Sequence, residues 1–326
     1  MSNTRAHVYV TRRLTPAAMT RLSELDAPVV VHPDPERPPT RRELLESVRG
    51  AVALVPLLTE RVDAELLDAA GEQLRVVANV AVGYDNVDLA ETARRGIAVT
   101  NTPGVLDEAT ADLAFGLLLA AARRIVEADR FLRTGRPWAW APTMFTGLDV
   151  SAGATLGIVG LGRIGMAVAR RAHAFRMRIL ATGRRASSPE AADLGVVAAT
   201  LDEVLERSDV ISLHCPLTPQ THHLVGPAEL ARMKSTALLV NTARGPVVDE
   251  AALVDALRSG SIAGAALDVF EDEPQLHPGL RELDNVVIVP HIGSAGAATR
   301  DAMGLLAVDN VAAVLAGRPP LTPVEP

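Results

Sequence analysis

The sequence predicts an α/β protein made of two domains, each built on a parallel sheet. Three observations carry this. Short apolar runs alternate with amphipathic helical stretches, the pattern of strands covered on both faces. With 326 residues, the chain is too long for one ordinary core. The second half of the alternation carries Gly160, Gly162 and Gly165 as G-x-G-x-x-G between a buried strand and a helix, and the first half carries no such motif.

Composition narrows the function. Hydrophobic residues make up 48% and aromatics only 3%, so the cores rest on Ala, Val, Leu and Ile. The net charge of -7 argues against nucleic acid or an anionic membrane as the main partner. Cys215 is the single cysteine, so no internal disulfide is possible, which suits the cytoplasm. Met1 to Val10 lacks the apolar core of a signal peptide. Ala109 to Ile125 is apolar but carries Asp112 and ends in Arg123-Arg124, so it reads as a buried helix and not a membrane span. No internal repeat is found, and no metal site is expected.

In chain order, His7 to Thr11 is a strand, and Pro16 to Leu25 a helix with Thr15 as its cap. Pro28 to Val31 is a strand, His32 to Pro39 a loop, and Thr40 caps a helix through Val48. Ala51 to Leu57, Val76 to Val82 and Ile97 to Thr100 are strands separated by helices. At the end of one of them, Gly83 would let backbone N–H groups face an anion. Glu108 to Arg130 reads as one long connecting helix. Gly135 to Gly147 follows, an apolar loop with Trp138, Trp140, Met144 and Phe145, and a loop this apolar needs a cover. After the glycine motif come a helix, Met166 to Phe175, and a strand, Met177 to Ala181. Further strands are expected at Val210 to His214, Ala237 to Asn241, Gly264 to Val269 and Val286 to Pro290. Helices intervene at Asp202 to Arg207, Ala228 to Met233 and Glu250 to Arg258. Ala295 to Leu315 is a last helix, expected to pack back on the first domain. The boundaries read 1–104 with 295–326 for substrate binding, and 105–294 for the dinucleotide.

Each glycine of the motif has a task. Gly160 permits the tight turn, Gly162 lets a pyrophosphate approach the backbone, and Gly165 lets helix and strand pack closely. The helix end adds free N–H groups and a positive dipole. An NAD site usually has Asp or Glu at the end of the next strand. Here Gly183 stands there, followed by Arg184 and Arg185. A guanidinium can hold a 2′-phosphate bidentately, so NADP is expected, with NAD as the weaker alternative. Arg244, Glu273 and His291 follow other strand ends and supply an anion clamp, a carboxylate and an imidazole on one rim.

These stretches resemble the D-2-hydroxyacid dehydrogenases, specifically the glyoxylate/hydroxypyruvate reductase branch. The carriers are Asn79 to Asp85, Gly157 to Gly165, Asn241 to Gly245, Asp268 to Pro274 and Pro290 to Ser294. The resemblance implies two Rossmann- and flavodoxin-like domains with the active site in the cleft between them. It places the catalytic Arg, Glu and His on Arg244, Glu273 and His291, and the substrate-carboxylate loop on Val82 and Gly83. It implies cofactor contacts at Gly160, Leu161, Gly162, Arg163, Ile164, Gly165, Gly183, Arg184, Arg185, Thr110, Cys215, Pro216, Thr221, Thr242, Ala243, Arg244, Asp268, His291 and Gly293. It further implies a homodimer in which Met144 reaches the neighbouring subunit's substrate. One departure is the Trp138 to Met144 loop, a residue shorter than in the animal enzymes and with Met144 where they have tryptophan.

The expected chemistry is reduction of a small 2-oxo acid. Hydride reaches the keto carbon, His291 as imidazolium protonates the oxygen, Glu273 favours that charged form, and Arg244 holds the carboxylate or carbonyl. His214, His222, His223 and His277 are rivals for the acid. Competing readings are a 2-ketogluconate reductase, an enzyme of the same kind that oxidises phosphite or formate, and a nucleotide-sensing co-repressor on the same fold.

Overall fold

The structure is a computed structural model that describes residues 6–325. The signal-peptide reading rests partly on Met1–Arg5, which lie outside the described residues. The chain divides into two compact units. One runs to Leu106 and resumes at Ala295, and the other is Asp107–Ser294.

The first unit opens with β1 (His7–Val10), α1 (Pro16–Ser23), β2 (Val29–Val31), α2 (Arg41–Ser47) and β3 (Ala51–Val55). It continues with α3 (Ala64–Ala70), β4 (Val76–Ala78), α4 (Leu89–Arg94) and β5 (Ala98–Thr100). All pairs are parallel, in the order β2-β1-β3-β4-β5. That is the flavodoxin-like order. Thr40 caps α2 in a reciprocal box with Glu43, as its S/T-x-x-E spacing predicts. Thr15 stands at the N-cap of α1 but makes no cap bond, and Pro16 follows as the first helical residue.

The second unit holds α5 (Asp107–Ala122), α6 (Ile125–Arg133), β6 (Thr155–Val159), α7 (Arg163–Ala174) and β7 (Arg178–Thr182). Then follow α8 (Pro189–Asp193), β8 (Val196–Ala198), α9 (Leu201–Arg207), β9 (Val210–Leu213), α10 (Pro227–Arg232) and β10 (Leu238–Asn241). It closes with α11 (Glu250–Ser259), β11 (Gly264–Leu267), α12 (Pro278–Arg281) and β12 (Val286–Ile288). Its parallel sheet runs β12-β11-β10-β9-β6-β7-β8, the Rossmann order, with the switch of direction between β6 and β9. One face of the sheet is packed by Phe115, Leu118, Leu156 and Ile158, the other by Leu205, Ile211, Leu239 and Leu253, all buried.

The last helix, α13 (Ala297–Leu315), belongs to the first unit and lies on α1. A Cβ at Gly304 would stand 2.6 Å from that of Ala18, so glycine lets the two helices close. Among the described residues no helix is long and apolar enough to cross a membrane.

One element needs correction. The single helix expected from Glu108 to Arg130 is two. Arg124 sits in the left-handed region at φ 51, between α5 and α6. Leu148 N–H donates to Ala122 O at 2.9 Å, taking a carbonyl that the helix would otherwise use. Glu127, in the first turn of α6, favours the fresh helix start, and it holds the Arg124 guanidinium at 2.6 Å.

Candidate active site

The turn bears out the structural tasks expected of Gly160 and Gly165. Gly160 has φ +96, and a Cβ there would meet Cys215 N at 2.7 Å at the end of neighbouring β9. A Cβ at Gly165 would meet Gly160 O at 2.4 Å. Around Gly162, the N-cap of α7, a Cβ would meet nothing within 4 Å. The first and third glycines are required by the chain itself, and the second leaves room at a helix N-terminus. Thr182 Oγ1 accepts from Gly160 N–H at 3.1 Å, and Leu161 N–H donates to Thr182 O at 3.0 Å, which ties the turn to β7. Arg163 and Ile164 form the first turn of α7. These residues fit a dinucleotide.

Gly183 follows Thr182 at φ +108, and a Cβ there would stand 3.2 Å from Leu161 N. The missing acid therefore has a backbone cause: an L-residue rarely adopts this conformation. The two arginines differ. Arg185 is ion-paired with Glu190, whereas Arg184 is exposed. The Arg184 guanidinium has no hydrogen-bond or ion-pair partner among the described residues.

Three more strand ends carry Arg244, Glu273 and His291. β10 ends at Asn241, whose side chain accepts from Ala243 N–H at 3.0 Å and donates to Arg244 O at 2.9 Å. This Asx-type turn carries Thr242, Ala243 and Arg244 beyond the sheet. A Cβ at Gly245 would stand 1.8 Å from Phe270 O, so only glycine lets the Arg244 turn lie against the loop after β11. In that loop, Glu273 Oε1 accepts from Phe270 N–H at 3.0 Å, and Oε2 lies 2.8 Å from His291 Nδ1. His291 follows β12 at φ 52, its N–H donating to Asp268 O at 2.9 Å. Asp268 is buried, and its two oxygens accept from Ile292 N–H at 2.6 Å and Gly293 N–H at 2.8 Å. Burial raises the pKa of its carboxyl. Asp268 thus fixes the loop that presents His291, and Gly293 in turn faces Thr110 of α5.

Burial drives the His214 imidazole down to about 4, so it is neutral near pH 7 and cannot be the acid. His277 Nδ1 accepts from Gly279 N–H at the start of α12. His222 is exposed. His223 Nε2 lies 2.6 Å from Glu271 Oε1, a second His–Glu pair that the sequence reading missed. Cys215 is buried, which pushes its thiol up to about 11 and leaves it unreactive. Thr221 Oγ1 donates to Pro216 O at 2.6 Å and shapes the loop after β9.

In the first unit, Asn101 Nδ2 donates to Val82 O at 2.8 Å, and Asn79 Nδ2 to Gly83 O at 2.9 Å. Both carbonyls are held by side-chain amides, which fixes the turn after β4. Among the described residues neither the Val82 nor the Gly83 N–H has a partner.

A two-unit frame with a dinucleotide turn and an imidazole–carboxylate pair defines a nicotinamide-dependent oxidoreductase. Residues 115–293 match the model of the D-isomer specific 2-hydroxyacid dehydrogenase NAD binding domain. A glyoxylate reductase from Korarchaeum cryptofilum is 51% identical over 96% of this chain and 94% of its own. A Thermus thermophilus crystal structure superposes with TM-score 0.90 at 50% identity, covering 98% of this chain and 99% of that one. A Sinorhizobium meliloti NADPH-dependent glyoxylate/hydroxypyruvate reductase, solved with NADP and malonate, gives TM-score 0.85 at 37% identity over 98% and 97%. The chain belongs to the D-2-hydroxyacid dehydrogenase family, in its glyoxylate reductase branch, and is an oxidoreductase acting on 2-hydroxy acids.

Proposed function

We propose that the protein reduces a small 2-oxo acid, glyoxylate or hydroxypyruvate, with NADPH, and that His291 is the proton donor. The observation that carries this reading is the His291–Glu273 pair at 2.8 Å. A carboxylate on Nδ1 keeps a proton there and leaves Nε2 to serve the substrate oxygen. The cofactor held at Gly160–Gly165 supplies the hydride. Arg244 holds the substrate carboxylate or carbonyl and stabilises the charge that grows on oxygen. The Val82 and Gly83 N–H groups bind the carboxylate. His291 then delivers its proton to the alkoxide, and Glu273 holds the ring in position through Nδ1.

The preference for NADP rests on Gly183, which removes the acid, and on exposed Arg184 as the partner of a 2′-phosphate. NAD is the weaker cofactor. The Sinorhizobium reductase is described as NADPH-dependent. A cytoplasmic location is favoured by the lone, buried Cys215.

A homodimer completes the reading. The amphipathic helix α6 buries none of its residues. Ile125 and Leu132 on it are exposed, and the following loop leaves Trp138 57% and Trp140 77% exposed. Such a patch calls for a partner, and two-fold pairing is the commonest solution. Met144, half-buried in that loop, would serve the partner's substrate as an adaptable lid.

The test is a panel of kcat/KM values for glyoxylate, hydroxypyruvate and 2-ketogluconate with NADPH and with NADH. The reading requires the first two acids with NADPH to lead. A lead for 2-ketogluconate, or for NADH, would replace that part of it.

A further inference from the structure

One cluster of metal-ligating side chains, among the described residues, takes no part in the reaction above. His222, His223 and Glu271 each bring one ligand atom within 4.8 Å of the others. They join the loop after β9 to the loop after β11. Two of the three are firmly held. Glu271 N–H donates to Glu250 Oε1 at 2.6 Å, and Glu271 Oε2 accepts from Glu250 N–H at 3.2 Å. His223 N–H donates to Pro246 O at 2.8 Å, and its ring lies 2.6 Å from Glu271 Oε1. His222 stands beside it with ring centroids 4.1 Å apart and is exposed.

We propose that these three residues form a binding site for a divalent transition-metal ion of the zinc class. Two imidazoles and one carboxylate with an open position make a ligand set that zinc accepts, whereas calcium and magnesium demand oxygen. Zinc bonds of ~2.0–2.2 Å place tetrahedral ligand atoms roughly 3.4 Å apart. The exposed His222 swings inward, and His223 Nε2 and Glu271 Oε1 open from 2.6 Å to that spacing. The ion takes the place of the proton shared by His223 and Glu271, and water fills the fourth position. Glu271 lies two residues before Glu273, so an occupied site ties the 218–225 loop to the turn that holds His291. Glu271 and Glu273 thus give one turn two tasks.

The experiment is a competition titration of the full chain with Zn²⁺ against a chromophoric chelator. One zinc should bind per chain. Loss of even an outer-shell partner weakens metal sites ~10–100-fold, so His222→Ala, which removes a ligand from the surface, should weaken binding by at least ~100-fold. Glu271→Gln should do the same. His291→Ala should leave binding unchanged, which separates this cluster from the other His–Glu pair. Cobalt(II) in place of zinc should give a visible absorption band that His222→Ala abolishes. Circular dichroism melts check that each variant is folded. The proposal is overturned by absence of binding at micromolar zinc, by binding that survives His222→Ala in folded protein, or by binding lost in His291→Ala. The readout is metal and not turnover, so the result stands whatever the substrate panel gives.

Discussion

Of the eight histidines, His291 is separated from its rivals by its surroundings. His214 is too buried to charge near neutral pH, His277 caps a helix, and His223 spends its ring on Glu271. We expect His291→Ala and Arg244→Ala each to lower kcat/KM by at least ~10²-fold, the scale of a positioned acid or an electrostatic clamp. Steady-state kinetics on folded variants checks this, and near-normal turnover in either removes that residue from the mechanism. The arginines after β7 should also separate. Losing a charged hydrogen-bond partner costs roughly 1.5–3 kcal/mol, about tenfold to a hundredfold in affinity. Arg184→Ala should lower the NADPH/NADH ratio of kcat/KM by that factor, and Arg185→Ala by less, because Glu190 already engages Arg185. Equal effects would give the two arginines one role. The proposed catalytic residues were legible in the sequence because each sits at a strand end inside a short motif. The His223–Glu271 pair was not, because its members lie 48 residues apart and meet only when the loops after β9 and β11 fold together.

In the turn between β6 and α7, Gly160 and Gly165 are required by the fold and Gly162 is proposed to serve binding, and the two roles can be tested apart. Gly165→Ala puts a methyl against the Gly160 carbonyl, so it should cost ~1–3 kcal/mol of stability, the range for overpacking. Gly162→Ala meets open space, so it should cost under ~1 kcal/mol as an N-cap change. It should nevertheless weaken cofactor binding about tenfold or more by crowding the pyrophosphate. Denaturant unfolding and cofactor titration measure both; a Gly162→Ala protein that binds normally would put the phosphates elsewhere. At this scale the sequence announced most elements through apolar period, but several strands end earlier than their apolar runs. Val80 and Ala81 are buried yet already belong to the turn after β4, because burial there comes from packing and not from the sheet. β8 went unread because Val197 and Ala198 are exposed at the sheet's edge. The α5–α6 break was unreadable because its cause, Leu148 N–H on Ala122 O, is a contact from 26 residues further along the chain.

For the molecule as a whole, the exposed face of α6 and the tryptophan loop predict a mass of twice 34.3 kDa by light scattering. A monomer at micromolar concentration would leave those tryptophans in water and end the dimer reading. In the dimer, Met144→Trp should narrow the range of 2-oxo acids and leave KM for NADPH nearly unchanged. Equal effects on both would place Met144 away from the substrate. The two parallel sheets follow from an alternation visible in the sequence, whereas the proposed partner surface was legible only as an excess of apolar residues in one loop. The account rests above all on hydride transfer from NADPH to the keto carbon of a small 2-oxo acid. It is tested most directly by mass spectrometry of the product formed from glyoxylate and NADPH deuterated at either face of C4. The account predicts glycolate one mass unit heavier with one face labelled and not with the other, formed at least ~10²-fold more slowly by His291→Ala. Absence of glycolate, or unlabelled glycolate from both cofactors, would contradict it.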